Sequence, residues 1–150
     1  MGERIVIRQN KDFETRFWAK DPGEPEGSPL GEVAHIQALT PYGMLLAGLG
    51  SCTGVVVNTY ARYHGVGLEE VTLRLEYERS FREDCEECER DEKFTESISQ
   101  ELSFSGDLTD EEREKLYRIS LQCPIHKMLK SGVKVQSKHV KPGAIKVGRK

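Results

Sequence analysis

The chain has 150 residues and a formal net charge of −3. This length is enough for one domain with a real hydrophobic core, and we interpret residues 1–150 as a single domain. The charge gives no electrostatic attraction to nucleic acids or to anionic membranes, so neither is expected as a partner.

Strand patterns occupy the first forty residues. Residues 5–7 open a strand, and residues 13–18 are its predicted hairpin partner. Proline, glycine and serine dominate residues 21–29, which predicts a surface loop. Residues 33–39 predict a short third strand.

The N-terminal residues also bear on the cellular compartment. Glu3, Arg4 and Arg8 interrupt the apolar residues, so the pattern of a secretory signal is missing. We therefore expect a cytoplasmic protein. In a reducing compartment its four cysteines are expected to be reactive, metal-binding or inert rather than structural disulfides.

The most apolar stretch follows at residues 40–63. Thr40 is a preferred N-cap and Pro41 suits the first helical position, so the stretch predicts a helix, ended in the region of Gly65. Its interior glycines cost about 1 kcal/mol each, which indicates a close approach of another backbone or an opening beside Cys52. One small sheet covers only one side of such an apolar helix. We therefore expect a homodimer in which a second copy covers the other side.

The middle of the chain predicts two paired strands. Residues 71–78 alternate between apolar and polar, as in a half-buried strand. A second alternating strand places four large apolar residues on one face: Phe94, Ile98, Leu102 and Phe104. Between the strands, ten of the twelve residues 82–93 are charged, so we expect this segment to be a mobile excursion into solvent.

The last third predicts helices and then strands. Thr109 and Glu112 form the sequence pattern of a capping box at a helix start. Pro124 breaks this helix, and residues 126–129 suggest a second short helical turn. Residues 133–135 and 144–147 predict terminal strands, whose basic residues we interpret as solvated. Because strands are grouped rather than alternating with helices, the expected class is α+β.

Cys52 and Cys123 are the candidate chemical residues. Small residues flank Cys52, which leaves room for a substrate to reach its sulfur, and Cys123 stands before Pro124 with His126 close by. A thiolate can attack a peroxide to give sulfenic acid, and a second cysteine can then condense with it to a disulfide. Spacing alone does not show that the two sulfurs meet, so a redox pair and two inert buried cysteines both remain open.

Cys85 and Cys88 form a Cys-Glu-Glu-Cys motif in the charged segment. Such a motif can bind zinc or act as a dithiol, but zinc needs further ligands, which His64, His126 or a second subunit would have to supply. The surrounding carboxylates disfavour a thiolate by charge repulsion. The motif therefore has three interpretations: a surface disulfide or inert thiols, a metal site, or a redox relay.

Two segments carry a resemblance to a known family. TPYGMLLAGLGSC at residues 40–52 and CPIHKML at residues 123–129 resemble the OsmC/Ohr superfamily of osmotically inducible and organic-hydroperoxide-resistance proteins. The resemblance implies an intertwined α+β homodimer with active sites at the subunit interface. It also implies that Cys52 is the peroxidatic and Cys123 the resolving cysteine. Organic hydroperoxides would be the substrates and dithiols the reductants, with no cofactor required.

One position departs from the peroxidase branches of that superfamily. They have a glutamate directly after the proline that starts the central helix, paired with an arginine from an N-terminal strand. This chain has Tyr42 there, and Arg8 and Arg16 are the available substitutes for the arginine. The departure places the chain nearer the less characterised OsmC-like branch.

Three functions therefore remain in competition. The first is thiol-dependent reduction of organic hydroperoxides through Cys52 and Cys123, in defence against oxidative stress. The second is an OsmC-like protein that binds hydrophobic ligands or serves in stress without efficient turnover. The third is a zinc-binding dimer built on Cys85 and Cys88.

Overall fold

The computed structural model describes residues 2–81 and 94–148. Within them, the elements in chain order are β1 (Gly2–Asn10), β2 (Thr15–Ala19), β3 (Gly31–Val33), α1 (Pro41–Tyr63), β4 (Gly67–Phe81), β5 (Phe94–Asp107), α2 (Asp110–Ser120) and α3 (Pro124–Ser131). A 3-10 helical turn at Ile36–Ala38 precedes α1. Strands and helices are segregated along the chain, so the predicted α+β class is confirmed.

The strands of the described ranges form one antiparallel sheet in the order β3-β2-β1-β4-β5. One face carries the core, and the alternating residues of β4 are buried there as predicted: Val71, Leu73, Leu75 and Tyr77. The apolar residues Ile98, Leu102 and Phe104 of β5 pack against the same core. The side chain of Phe94 lies outside the described part of the chain.

Helix α1 begins and ends where its sequence signals predict. The Thr40 hydroxyl accepts a hydrogen bond from the Gly43 amide at 3.0 Å, which caps the first turn. At the other end Gly65 has a φ of +63°. The Val66 amide then reaches back to the Ala61 carbonyl at 2.9 Å. This is the hydrogen-bond pattern by which a glycine after a helix satisfies its last carbonyls.

Two glycines of α1 let the helix lie close to the sheet. A Cβ added at Gly50 would come within 2.1 Å of the Ile7 Cδ1 atom, and one added at Gly54 would lie 3.0 Å from the side chain of Gln9. The predicted close approach of another element to α1 is therefore confirmed, and that element is strand β1. Gly48 has nothing within 4 Å of an added Cβ, so it faces away from the sheet.

The side of α1 that faces away from the sheet is apolar. Met44, Leu45, Gly48, Cys52 and Val55 lie along it, and we call these residues the apolar stripe. Met44, Leu45 and Val55 are 38%, 39% and 44% exposed. By length and apolar composition, α1 resembles a membrane span, but half of its most apolar stretch is buried inside the fold. Its packing on the sheet is that of a core helix.

Two strand predictions need correction. Over residues 132–148 the described chain after α3 contains no strand, although residues 133–135 and 144–147 were expected to form strands. Four apolar residues are exposed there instead: Val133, Val135, Ile145 and Val147. A strand needs a neighbouring strand for its hydrogen bonds, and none of the described strands pairs with these residues. The short third strand ends at Val33, before the 3-10 turn. The predicted mobile excursion at residues 82–93 lies outside the described ranges.

Candidate redox site

The fold brings Cys52 and Cys123 together. Cys52 lies in the middle of α1 on the apolar stripe and is partly exposed, whereas Cys123 is fully buried. Cys52 packs against the core cluster that contains Cys123, and each thiol shifts the pKa of the other. The spacing of these cysteines left their meeting open, and the structure makes them neighbours.

Helix α3 holds Cys123 in place. Pro124 occupies its first position and Cys123 is its N-cap residue, with φ −55° and ψ 126°. The Cys123 carbonyl accepts the first helical hydrogen bond, from the Lys127 amide at 3.0 Å. The amides of Ile125 and His126 belong to the first turn, where backbone N–H groups have no partner within the helix. The structure thus extends the predicted short turn into an eight-residue helix that begins directly after Cys123.

The two thiols differ in acidity. Burial raises the pKa of Cys52, and its interaction with the Cys123 thiol raises this pKa further. Burial also acts to raise the pKa of Cys123, but its interactions with the Cys52 thiol, the amides of His126 and Ile125 and the hydroxyl of Thr53 outweigh this effect. The pKa of Cys123 therefore lies below its ordinary value. Because the two thiols interact, the pair titrates as one unit rather than as two independent groups.

Tyr42, which stands where the peroxidase branches have glutamate, packs on a second tyrosine. The rings of Tyr42 and Tyr77 stack at 4.5 Å with 14° between their planes. The Tyr77 hydroxyl donates to the Glu96 carboxylate at 2.7 Å, and this bond is the main reason why the pKa of Tyr77 is raised. A carboxylate thus lies near the start of α1, but it comes from β5. The sequence analysis missed Glu96, although its even spacing from Ile98 places it on the same strand face.

Arg8 and Arg16 are not positioned to assist the thiols of their own chain. Both lie on the face of the sheet opposite α1, where their guanidinium groups stack over Trp18 at 5.2 and 5.1 Å. Arg16 also forms a two-pronged ion pair with Glu32 at 2.8 Å, and Arg8 lies 3.9 Å from Glu70. Within one chain, neither of these two possible substitutes is therefore positioned to take the place of the family's arginine.

The zinc hypothesis concerns residues that the structure does not describe, because Cys85 and Cys88 lie between residues 82 and 93. The rings of the two candidate histidine ligands have other contacts. His64 packs against the ring of Tyr60 at 4.2 Å, and His126 Nδ1 lies 3.3 Å from Gln100 Nε2. Over residues 2–81 and 94–148 no group of three or more histidine, cysteine or acidic residues is arranged to hold a metal ion.

A cavity of about 190 Å³ lies near the C-terminal end of α1. It contains neither thiol, so it is not a pocket for a substrate of the cysteine pair. Its lining consists of Lys11, Asp12, Asn58, Ala61, Arg62, Val66 and Leu68.

An antiparallel sheet crossed by a long apolar helix, with a thiol pair between that helix and a short C-terminal one, defines the class of protein as an OsmC-type α+β fold. The family model described as OsmC-like protein matches residues 34–138, and the chain belongs to this family. Its resemblance to the superfamily is therefore confirmed.

Two solved structures illustrate the similarity of fold. One is an OsmC-like hydroperoxide resistance protein from Jannaschia sp. CCS1, with 14% identity, a TM-score of 0.55 and 96% of each chain covered. The other is an OsmC-like protein from Mycoplasma pneumoniae, with 17% identity, a TM-score of 0.51 and coverage of 83% of this chain and 85% of that one. No curated protein gives a significant match. At these identities the two structures establish a common fold alone.

Proposed function

We propose that the protein reduces organic hydroperoxides, with Cys52 as the peroxidatic and Cys123 as the resolving cysteine. The observation that supports this proposal is the pairing of a partly exposed thiol with a buried neighbouring thiol. Cys52 attacks the outer peroxide oxygen, the O–O bond breaks, and an alcohol leaves. Cys123 then displaces the oxygen of the Cys52 sulfenic acid as water and closes a disulfide. A dithiol reductant reopens the disulfide by exchange, so these steps need no cofactor.

The surroundings of Cys52 favour an alkyl substrate. Leu45 and Val55 flank it on the apolar stripe, and Val56 and Ile125 pack beside it against the core. Each methylene that leaves water gains about 0.8 kcal/mol. We therefore expect alkyl hydroperoxides to react more efficiently than hydrogen peroxide, which has no apolar part to bury.

We also propose that the working unit is a cytoplasmic homodimer. The apolar stripe is exposed in the single chain, and large contiguous apolar surfaces commonly mark protein interfaces. The stripe includes Cys52, so a second chain packed on it would enclose the site. Val133 and Val135 after α3 are exposed as well, and they offer strand-like residues for exchange with the second chain. Neither nucleic acid nor membrane is part of this proposal.

The test uses single cysteine variants and mass spectrometry after one equivalent of cumene hydroperoxide. Cys52→Ser is expected to abolish turnover. Cys123→Ser is expected to allow one oxidation and to accumulate sulfenic acid on Cys52. The double variant Cys85→Ser/Cys88→Ser serves as the control and is expected to retain full turnover. The proposal is wrong if the wild type forms no Cys52–Cys123 disulfide and Cys52→Ser consumes peroxide as fast as the wild type.

One observation favours a second candidate function, the binding of hydrophobic ligands without efficient turnover. The pKa of Cys52 is raised, and a protonated thiol is a poor nucleophile. A peroxide-consumption assay with a dithiol reductant separates the two functions, because the binding protein would not turn over. Metal analysis of the purified protein tests the zinc-binding dimer, whose ligands would be Cys85 and Cys88.

A further inference from the structure

We propose that the cavity near the C-terminal end of α1 is a second binding site, for a small carboxylic acid that carries an amide or hydroxyl donor and an apolar branch. The cavity measures about 190 Å³, below the roughly 300–1,000 Å³ of pockets for drug-sized ligands, so its occupant must be small. The site contains neither cysteine of the thiol pair and stands apart from the proposed peroxide chemistry.

The buried wall of the cavity carries an amide oxygen that accepts no hydrogen bond. Asn58 lines the cavity and is 2% exposed, and no group of the described residues donates to its Oδ1 atom. Buried polar atoms nearly always have a partner, because an unpaired one loses the hydrogen bond that it makes with water in the unfolded chain. Ala61 and Arg62 lie one turn further along the same face of α1 and line the cavity too. A ligand in the cavity is thus placed to supply the missing donor.

The hydrogen bonds around Asn58 fix which atom of its amide is left over. The Thr15 hydroxyl donates its proton to the Phe13 carbonyl at 3.1 Å, so it must accept from Gln9 Nε2 at 3.0 Å. The Gln9 amide therefore turns its Oε1 atom to Asn58, and this oxygen accepts from Asn58 Nδ2 at 3.0 Å. A flipped Asn58 amide would set two oxygens against each other. Oδ1 is the atom without a partner, and because it is buried, only a slim N–H or O–H donor can reach it.

Two cations and one carboxylate stand at the rim of the cavity. Lys11, Asp12 and Arg62 line it with side chains that are more than half exposed, so positive charge exceeds negative by one. Lys11 pairs with Glu69 at 3.2 Å, whereas Arg62 lies 3.9 Å from Asp12, at the outer limit for an ion pair. The planar guanidinium of Arg62 matches a carboxylate with two parallel donors. Arg62 is therefore the anchor for the anionic end of the ligand.

The turn beside this anchor is held in one conformation. Asn10 Oδ1 accepts from the amides of Asp12 and Glu14 at 2.9 and 3.0 Å. Phe13 has a φ of +65°, which bulky residues rarely adopt, and the Arg62 guanidinium stacks over its ring at 4.7 Å. A rim that is ordered in advance lowers the entropy cost of binding.

Apolar side chains complete the lining and select the third part of the ligand. Ala61 and Leu68 are buried, and Val66 packs in the same cluster. A branched apolar group leaves water when it packs against them. N-acetyl-L-valine combines the three required groups: a carboxylate for Arg62, an amide N–H for Asn58 Oδ1 and a branched apolar side chain.

The test is a titration of the ¹⁵N-labelled, reduced full-length protein with N-acetyl-L-valine, followed by NMR. Saturable shifts are expected at the side-chain amide of Asn58 and at the Nε–H group of Arg62. The backbone amides of Cys123 and His126 report on the thiol site and should stay in place. Shifts at those two amides instead of at Asn58 and Arg62 would overturn the proposal.

Matched probes and variants separate the two polar contacts. N-acetyl-L-valinamide lacks the charge, and the O-acetyl ester of 2-hydroxy-3-methylbutanoic acid lacks the N–H; each should bind about tenfold more weakly, as expected for one hydrogen bond to a charged group or to a buried acceptor. Arg62→Gln should weaken binding of the acid by a similar factor without weakening binding of the valinamide, and Arg62→Lys should fall between. The exposed position of Arg62 makes both variants compatible with folding. Equal affinity for all three probes, or no saturable shift with the acid, would show that the cavity holds only water and would overturn the proposal.

Discussion

Gly50 is the position at which the packing of α1 on the sheet can be tested most sharply. An alanine Cβ there would lie 2.1 Å from Ile7 Cδ1 and 3.1 Å from Leu75 Cδ1, and both of these side chains are fully buried. Forcing a methyl group into such a core typically costs 1–3 kcal/mol. Alanine gains about 1 kcal/mol over glycine in a helix interior. We therefore expect Gly50→Ala to range from neutral to about 2 kcal/mol destabilising.

Gly48→Ala is the matched control, because it makes the same change in the same helix where an added Cβ meets nothing within 4 Å. The helix-propensity gain is common to both variants and cancels in the comparison. Gly50→Ala should therefore be less stable than Gly48→Ala by roughly 1–3 kcal/mol. Urea unfolding of reduced protein at one fixed concentration measures the difference, since a dimer's stability depends on concentration.

A double-mutant cycle removes the clashing atom itself. Ile7→Val deletes Cδ1 and alone should cost about 0.5–1.5 kcal/mol. In the Gly50→Ala background it should cost less, with a coupling energy of roughly 0.5–3 kcal/mol between the two sites. The reasoning would be refuted if Gly50→Ala were as stable as Gly48→Ala and the cycle showed no coupling. A loss of stability at Gly48 as well would indicate a second chain against the apolar stripe.

Three further predictions concern other parts of the chain. Leu45→Glu places a charge on the apolar stripe and should dissociate the proposed dimer, whereas a stable wild-type monomer in sedimentation at micromolar concentration would contradict the dimer. Glu96→Gln removes the main cause of the raised pKa of Tyr77, so this pKa should fall toward its ordinary value of 10. An ultraviolet titration would show the fall, with Tyr77→Phe identifying the signal, and an unchanged titration would count against the hydrogen bond. Thr109→Ala removes the cap of α2 and should cost about 1 kcal/mol in urea unfolding.

Features set by neighbouring residues were predictable from the sequence. The ends of α1 depend on Thr40 and Gly65, which act within a few residues of their own positions. The capping box of α2 forms as predicted, with both hydrogen bonds between Thr109 and Glu112 present at 3.0 and 3.1 Å. The buried face of β4 follows from its alternation of apolar and polar residues. A shift of the strand by one residue would move all of its apolar side chains to the solvent face, so only one arrangement buries them.

Features set by distant packing were not predictable in the same way. The valines at 133 and 135 alternate like a strand, but alternation does not supply a neighbouring strand. The meeting of Cys52 with Cys123 depends on how α3 docks against α1, and the acidity of each thiol depends on where the α3 amides point. That Arg8 does not face the thiols of its own chain, however, was predictable. Arg8 is the neighbour of Ile7 in the chain, and adjacent residues of a strand point to opposite faces of the sheet.

The stacking of Arg8 and Arg16 on Trp18 has a spectroscopic consequence. Trp18 is the single tryptophan of the chain, and it lies on the side of the sheet opposite α1. Its fluorescence therefore reports on one local environment, the β1–β2 region of the sheet, without interference from other indoles. Oxidation of the thiols, which lie across the sheet, should leave the emission wavelength unchanged as long as the sheet stays intact. A red shift during peroxide treatment would thus signal opening of the sheet, which separates damage from the productive redox cycle.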